Sequence, residues 1–263
     1  MIGRGVRALV VGGLGGALAG VSWSLVDLTV AAAVVGSLNG LVAGWLGVYG
    51  LGRLRGWVAL ILDSSWGLIG TATGLVLFMA NLLQPRSGYE PELSRGQDRH
   101  VFSAGFRPRK GFAITLGNVV SNAGGSAGLH GDSPQAVRRR RFVTAHEELH
   151  IWQNRWFGPL YQVLYLTWLA VGAIVGSAAW PVVKGRWWNV VETVAYYDNP
   201  FEYWAYRNDG HWPPRGLHPR LGWHRPLRRP RHRKALPLAA GPDPASGSTK
   251  GDHRKDDGSD EHD

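Results

Sequence analysis

The sequence predicts a mainly α membrane protein, built from glycine-rich transmembrane helices and one small α+β element. Three observations lead there. Residues 6–83 carry no charge beyond Arg7, Asp27, Arg53, Arg55 and Asp63, and about 20 consecutive apolar residues suffice for one helical crossing of a bilayer. Glycine recurs at every fourth position in two stretches, Gly12, Gly16, Gly20 and Gly36, Gly40, Gly44. That spacing puts small residues on one helix face, where another backbone can approach closely. Beyond residue 84 the chain turns polar, and a strand-forming stretch there is followed by a helical one.

The first apolar run, Val6 to Leu51, is too long for one span and suits two. "SWSLVD", residues 22–27, supplies the turn and an interfacial tryptophan, Trp23. A tight helical hairpin is the simplest product. A signal peptide is the competing reading, since Arg4, Arg7 and Ala17-Leu18-Ala19 imitate its parts, but the apolar character continues past the cleavage position. The second run, Trp57 to Leu83, is interrupted at Asp63-Ser64-Ser65. It is either one long span or a span from about Trp66 preceded by an interfacial piece. Asp63 reads as a water-boundary residue; inside a membrane it would signal function. Residues 1–83 thus form a glycine-rich transmembrane region.

Residues 84–212 form the second region. "RSGYEPELSRGQD" is loop, and Ala113 to Val120 reads as a strand entering a turn. Ser133 and Pro134 are a cap and first-turn pair for a helix. That helix carries "TAHEELHIWQNRW", residues 144–156, up to Gly158-Pro159. A third apolar run comes next, Leu160 to Val183. If it crossed a bilayer completely, the residues on its two sides would lie on opposite faces. Either Gly172, Gly176 and Pro181 bend the run into a re-entrant hairpin, or the two sides meet below the membrane surface, lined by protein and water; the basic residues on both sides favour the first. Asn199-Pro200 then breaks the chain and starts another helix. Residues 213–263, Arg/Pro-rich and then of mixed charge, lack the apolar content to fold and are expected to be disordered.

Composition narrows the chemistry. The chain has no cysteine, which excludes disulfides and thiolate ligands, so a bound metal must use His and carboxylates. The net charge of +10 comes without a nucleic-acid recognition module. Basic residues beside apolar spans instead mark the cytoplasmic face and meet anionic headgroups. The expected partner is therefore membrane lipid and not nucleic acid. The glycine faces offer a surface for a homo-oligomer as well.

His146-Glu147-x-x-His150 stands out. Composition alone predicts about 0.01 such patterns in this chain, though a surface helix can carry His and Glu innocently. Residues four apart share a helix face, so His146 and His150 can aim at one Zn2+, with Glu147 placed as general base. Such a zinc acidifies water and polarises a carbonyl. Zinc hydrolases need a third protein ligand. In "NPFEYWAY" Glu202 falls near a helix start, with the small Ala205 beside it; Glu192 in "ETVAY" has the same spacing and is the rival. Glu148 is expected to face solvent, and Asp198 and Asp209 to serve turns or caps. Asn118, Gln153, Arg155, Tyr203 and Tyr206 are further candidates for holding substrate, orienting a ligand or stabilising an oxyanion.

His146-Glu147-x-x-His150 followed by an apolar run and Glu202-x-x-Ala205 resembles the gluzincin-type integral-membrane zinc metallopeptidases. The nearest pattern is that of the CAAX prenyl endopeptidases and bacterial heat-shock membrane proteases. Gln153 and Asn199-Pro200-x-Glu202 are similar to a looser set of bacterial membrane proteins. The resemblance covers about residues 111–210 and is one of motifs. It implies a zincin-like metallopeptidase element in a bacterial inner or plasma membrane, with His146, His150 and Glu202 on zinc and Glu147 catalytic. It also implies a peptide or protein substrate lying as an added strand beside Ala113 to Val120. The basic segment 84–145 would put that site on the cytoplasmic side. Two departures are Tyr206, where that group has Asp, and one apolar run where it has two. A non-catalytic scaffold built on the glycine helices, or a membrane-inserting toxin, are the alternatives.

Overall fold

The computed structural model describes residues 3–107, 112–124, 126–214 and 216–223. It is mostly helical, with one three-stranded sheet. The first two helices, α1 (Arg4–Ser22) and α2 (Thr29–Leu46), form the expected hairpin. A Cβ on Gly44 would stand 2.7 Å from the Ala8 Cα, and one on Gly36 or Gly40 would strike the backbone carbonyl of Gly15 or Val11. The contact face differs slightly from the four-residue pattern. Gly15 belongs to it, whereas a Cβ on Gly20 would meet its nearest neighbour at an ordinary 3.5 Å. Arg7 Nε donates to the Gly44 carbonyl at 2.6 Å, satisfying a free acceptor at the C-terminus of α2.

The second apolar run is not one straight helix. α3 (Leu54–Asp63) and α4 (Leu68–Leu82) meet at 90°. After the short α5 (Pro91–Ser94) come β1 (His100–Val101), β2 (Ile114–Leu116) and β3 (Val119–Ser121), in the order β1-β3-β2. β3 pairs parallel with β1 and antiparallel with β2, with Leu116 opposite Val119. The single strand expected over Ala113 to Val120 is therefore two, because Gly117, at φ 53°, lets the chain reverse there. β2 is an edge strand. Beneath the sheet, Leu93, Val101, Val120, Leu129, Val143 and Ile151 form a buried apolar cluster.

α6 (Ser126–His130) precedes α7 (Pro134–Arg141), whose N-cap Ser133 accepts from the Ala136 N–H at 3.2 Å. A π-helical turn, Phe142–Glu147, joins α7 to α8 (Glu148–Phe157). Gly158 then redirects the chain into α9 (Pro159–Val183). α9 is one unbroken helix of 25 residues, about 37 Å long. The reversal falls after it, at Lys184-Gly185. α10 (Trp187–Glu192) and a second π turn, Thr193–Tyr197, run back along α9 to α11 (Pro200–Asp209). Gly172 and Gly176 are thus not bends. A Cβ on them would lie 2.6 Å from the Ala195 Cα and 2.9 Å from the Val191 Cα, so they admit the returning backbone.

Three helices, α1, α2 and α9, are long and apolar enough to cross a membrane; the bent pair α3–α4 passes that test only if taken as one span. The disorder expected from residue 213 falls mainly on 224–263, outside the described residues. Residues 216–223 are packed: His218 N donates to Thr193 Oγ1 at 2.9 Å and Trp223 N to Asp198 Oδ1 at 3.0 Å. An aromatic anchor and these bonds outweigh the polar composition of that stretch.

The packing of the hairpin and the burial of His100 can each be tested. Gly40→Leu should cost about 2–3 kcal/mol in the unfolding free energy of the detergent-solubilised chain, since backbone cannot yield as a side chain does. Gly20→Ala should change it by less than about 0.5 kcal/mol. Burial without a charged partner lowers the His100 pKa from 6.5 to about 3; its neighbours are the Phe78 ring and the Tyr89 hydroxyl. The unfolded chain then binds the proton that the folded one refuses, so stability falls as pH drops from about 6.5 towards 3. By pH 5 the loss should reach about 2 kcal/mol, and denaturant titrations of His100→Asn should lack that part of the slope.

Candidate metal centre

Two helical segments meet at the site. His146 lies in the first π turn, His150 one turn on in α8, and Glu202 in the first turn of α11. Asn199 caps α11, accepting from the Phe201 N–H at 3.1 Å, and Pro200 is its first residue. Glu202 Oε2 stands 3.4 Å from His146 Nε2, and Oε1 stands 3.3 Å from His150 Nε2. The two Nε2 atoms are 3.3 Å apart. All three side chains are buried, and one ligand atom from each lies within 4.8 Å of the others, so the cluster could hold a metal ion.

The surroundings suit that use. Gln153 Oε1 lies 2.9 Å from His150 Nδ1, while its Nε2 donates to the Phe201 carbonyl at 3.0 Å. Because the amide nitrogen is committed, the oxygen accepts, which places a proton on Nδ1 and leaves Nε2 a lone pair. Asp209 Oδ2, 3.3 Å from His146 Nδ1, biases the other imidazole the same way. Tyr165 donates its hydroxyl to Glu202 Oε1 at 2.6 Å, and buried Oε2, 3.4 Å from His146 Nε2, has no hydrogen-bond partner among the described residues. Two inward lone pairs and a carboxylate oxygen suit a cation. A proton competes with a metal ion for that place: burial opposes ionisation of His146, but Asp209 and Glu202 outweigh it and raise its pKa to about 10. Burial likewise opposes the Glu202 carboxylate, and His150 and His146 hold it well below the usual range.

Glu147 is not one of the three clustered ligands. Its buried carboxylate accepts from Thr115 Oγ1 at 2.6 Å, which ties it to the edge strand β2. The Tyr206 ring meets the His146 ring edge-on at 4.5 Å, and the Phe142 ring stacks on it at 4.4 Å. Other candidates lie elsewhere. Glu192, at the end of α10, is not part of the cluster. Tyr203 packs on Trp212 and Trp223. Asn118 donates to Asn39 Oδ1 at 3.0 Å, and Arg155 is bound to Asp63 through two bonds of 2.8 Å. Neither Asn118 nor Arg155 faces the cluster.

Three residues depart from their sequence reading. Asp63 is no boundary residue: it is 1% exposed, the partner of Arg155 and of the Tyr49 hydroxyl. Glu148 does not face solvent freely, because Arg55 and the buried Arg99 both pair with it. Asp209 serves the expected turn, accepting from the His211 N–H at 2.8 Å, but it is also fully buried at His146; seven residues past Glu202, it shares that residue's helix face, a signal present in the sequence. Tyr161, whose hydroxyl is 3.3 Å from His150 Nδ1, and Tyr165 also share a face. Thr115 carried no such signal, since its contact spans 32 positions. No family model, curated protein or solved structure matches the chain.

Removing the Gln153 amide should weaken metal binding: Gln153→Ala is expected to lose about 10- to 100-fold in affinity by competitive chelator titration. For the pair remote from the cluster, Asp63→Asn and Arg155→Met should each cost about 3–5 kcal/mol in unfolding experiments. The double variant should cost clearly less than the two losses together.

Proposed function

We propose that this chain is an integral-membrane endopeptidase that uses one zinc ion and Glu147 to hydrolyse peptide bonds. The observation that carries the reading is the buried His146–His150–Glu202 cluster with Glu147 held beside an edge strand. Two imidazoles and a carboxylate are a donor set suited to zinc. When bound, the ion would acidify water and polarise the scissile carbonyl.

The chain's own residues do the rest. Glu147 takes the proton of the attacking water and passes it to the departing amine, a role that fits a buried carboxylate fixed by the Thr115 hydroxyl. Gln153 and Asp209 keep both imidazoles with Nδ1 protonated, and Tyr165 keeps Glu202 turned inward. β2, paired on one edge within the sheet, offers backbone groups to an extended peptide. Tight packing of Phe142 and Tyr206 on His146 excludes water from that imidazole.

The membrane reading rests on exposed apolar surface along α1, α2 and α9, where Leu9, Val30 and Ile174 are each at least 69% exposed. A hydrocarbon phase covers such surface without cost. The α9–α10 reversal carries Lys184, Arg186, Trp180, Trp187 and Trp188, residue types of a membrane interface. The basic stretch 84–145 favours a cytoplasmic site. The glycine faces of α1 and α2 pack against each other, which supports the enzyme reading over the scaffold one.

Elemental analysis of the purified chain tests the site. We expect about one zinc per chain, lost in Glu202→Ala and retained in Glu192→Ala. Glu147→Gln should keep the metal and lose about 10²- to 10⁴-fold in turnover of a mixed peptide library monitored by mass spectrometry. A folded wild type that takes up no zinc when it is supplied would end the peptidase reading.

A further inference from the structure

A cleft of about 710 Å³ opens where α4 ends, lined by Gln84, Pro85, Arg86, Phe106, Arg107 and Asn122 among others. Arg86 and Arg107 are both exposed, and neither has a hydrogen-bond or ion-pair partner among the described residues. No acidic side chain lines the cleft among those residues. Asn122 has its amide nitrogen bound to the Phe112 carbonyl at 2.6 Å, and Arg139 donates to the Asn122 carbonyl from behind. The cleft therefore presents two free guanidiniums backed by a third cation, a setting for a phosphate-type anion.

The rim indicates where that anion comes from. Met79 is 53%, Leu82 55%, Leu83 81% and Phe106 44% exposed, an apolar edge directly beside the arginines. An apolar groove of about 530 Å³ adjoins the same end of α4. Leu82 and Tyr89 line it, bracketing in sequence the Gln84–Arg86 wall of the cleft, and Phe78 with residues of α1 and α2 such as Ala8, Leu41 and Trp45 line the rest. Its α1–α2 side lies at the end of the hairpin marked by Arg7 and Trp45, the residue pair typical of a headgroup boundary.

We propose that this cleft is a binding site for the phosphate headgroup of an anionic phospholipid, with the adjoining groove taking an acyl chain. The apolar rim favours a lipid over a soluble anion, because only a lipid satisfies the arginines and covers Leu82, Leu83 and Phe106 at once. The site is separate from the metal cluster. It rests on the membrane reading and not on the peptidase one, so its fate and that of the catalytic proposal are read independently.

The test uses the full chain in non-ionic detergent, mixed with equimolar phosphatidylcholine and phosphatidylglycerol and probed by native mass spectrometry. The wild type should retain phosphatidylglycerol preferentially. Arg86→Gln/Arg107→Gln should lose that preference by about tenfold or more, and Arg86→Lys/Arg107→Lys should keep most of it. Unfolding midpoints equal to wild type show that the variants fold. Equal retention of the two lipids by the wild type would overturn the proposal, as would an unchanged preference in the glutamine variant. Displacement of the lipid by inorganic phosphate or an acidic peptide at the same concentration would assign the cleft to a soluble ligand and overturn it too.

Discussion

Arg155 sets both arms of its guanidinium on Asp63 at 2.8 Å, with both side chains 1% exposed. Two charges so deep in the protein are costly to desolvate, and the cost is offset only if every remaining donor and acceptor is also satisfied. That demand organises the surroundings. Asp63 takes the Tyr49 hydroxyl at 2.8 Å, Tyr49 takes an amide hydrogen of Asn39 at 2.9 Å, and Arg155 also reaches the Asp98 carbonyl at 2.6 Å. Asn118 closes the network through Asn39. One ion pair thereby joins α2, the α3–α4 corner, the β2–β3 turn and α8. It lies on the helix that carries His150, so the position of the site relative to the glycine hairpin depends on it.

A second constraint fixes the other half of the site. His150 and Glu202 are separated by a 25-residue apolar helix, yet their side chains touch. The chain manages this by running back along the helix it has just made. Trp168 Nε1 donates to the Val194 carbonyl at 3.2 Å, Gly172 faces Ala195 and Gly176 faces Val191. These contacts place Asn199 beside Tyr165, near the start of α9. Both segments that approach the site pass through π turns, 142–147 and 193–197. A π turn adds a residue to the helix circumference and rotates the residues beyond it. Here the turns lie immediately before His150 and before Glu202, where a change of helix face alters which side chains point inward.

Helix starts are legible in the sequence because their causes are local. Ser133-Pro134 and Asn199-Pro200 each supply a capping oxygen and a residue with its φ preset. The histidine spacing and the choice of Glu202 near a helix start are legible for the same reason. Asp63 is not, because an aspartate inside an apolar run looks alike whether water or an arginine 92 positions away satisfies it. Glu148 and Thr115 are hidden likewise, their partners being remote in sequence. Gly172 and Gly176 resemble bends, although glycine also serves close backbone approach, and only a neighbour decides between the two.

The sequence by itself determined the local features: which segments are apolar enough to cross a membrane, where helices begin, and that His146, Glu147 and His150 share one helical stretch. Each comes from periodicity or steric preference within a few residues. Tertiary structure alone decided that α9 is unbroken and its return is made by α10, that β2 brings Thr115 to Glu147, and which ring nitrogens Asp209 and Gln153 meet. These are pairings between groups far apart along the chain. Their energies depend on distance and on the exclusion of water, quantities that exist only once the chain has folded.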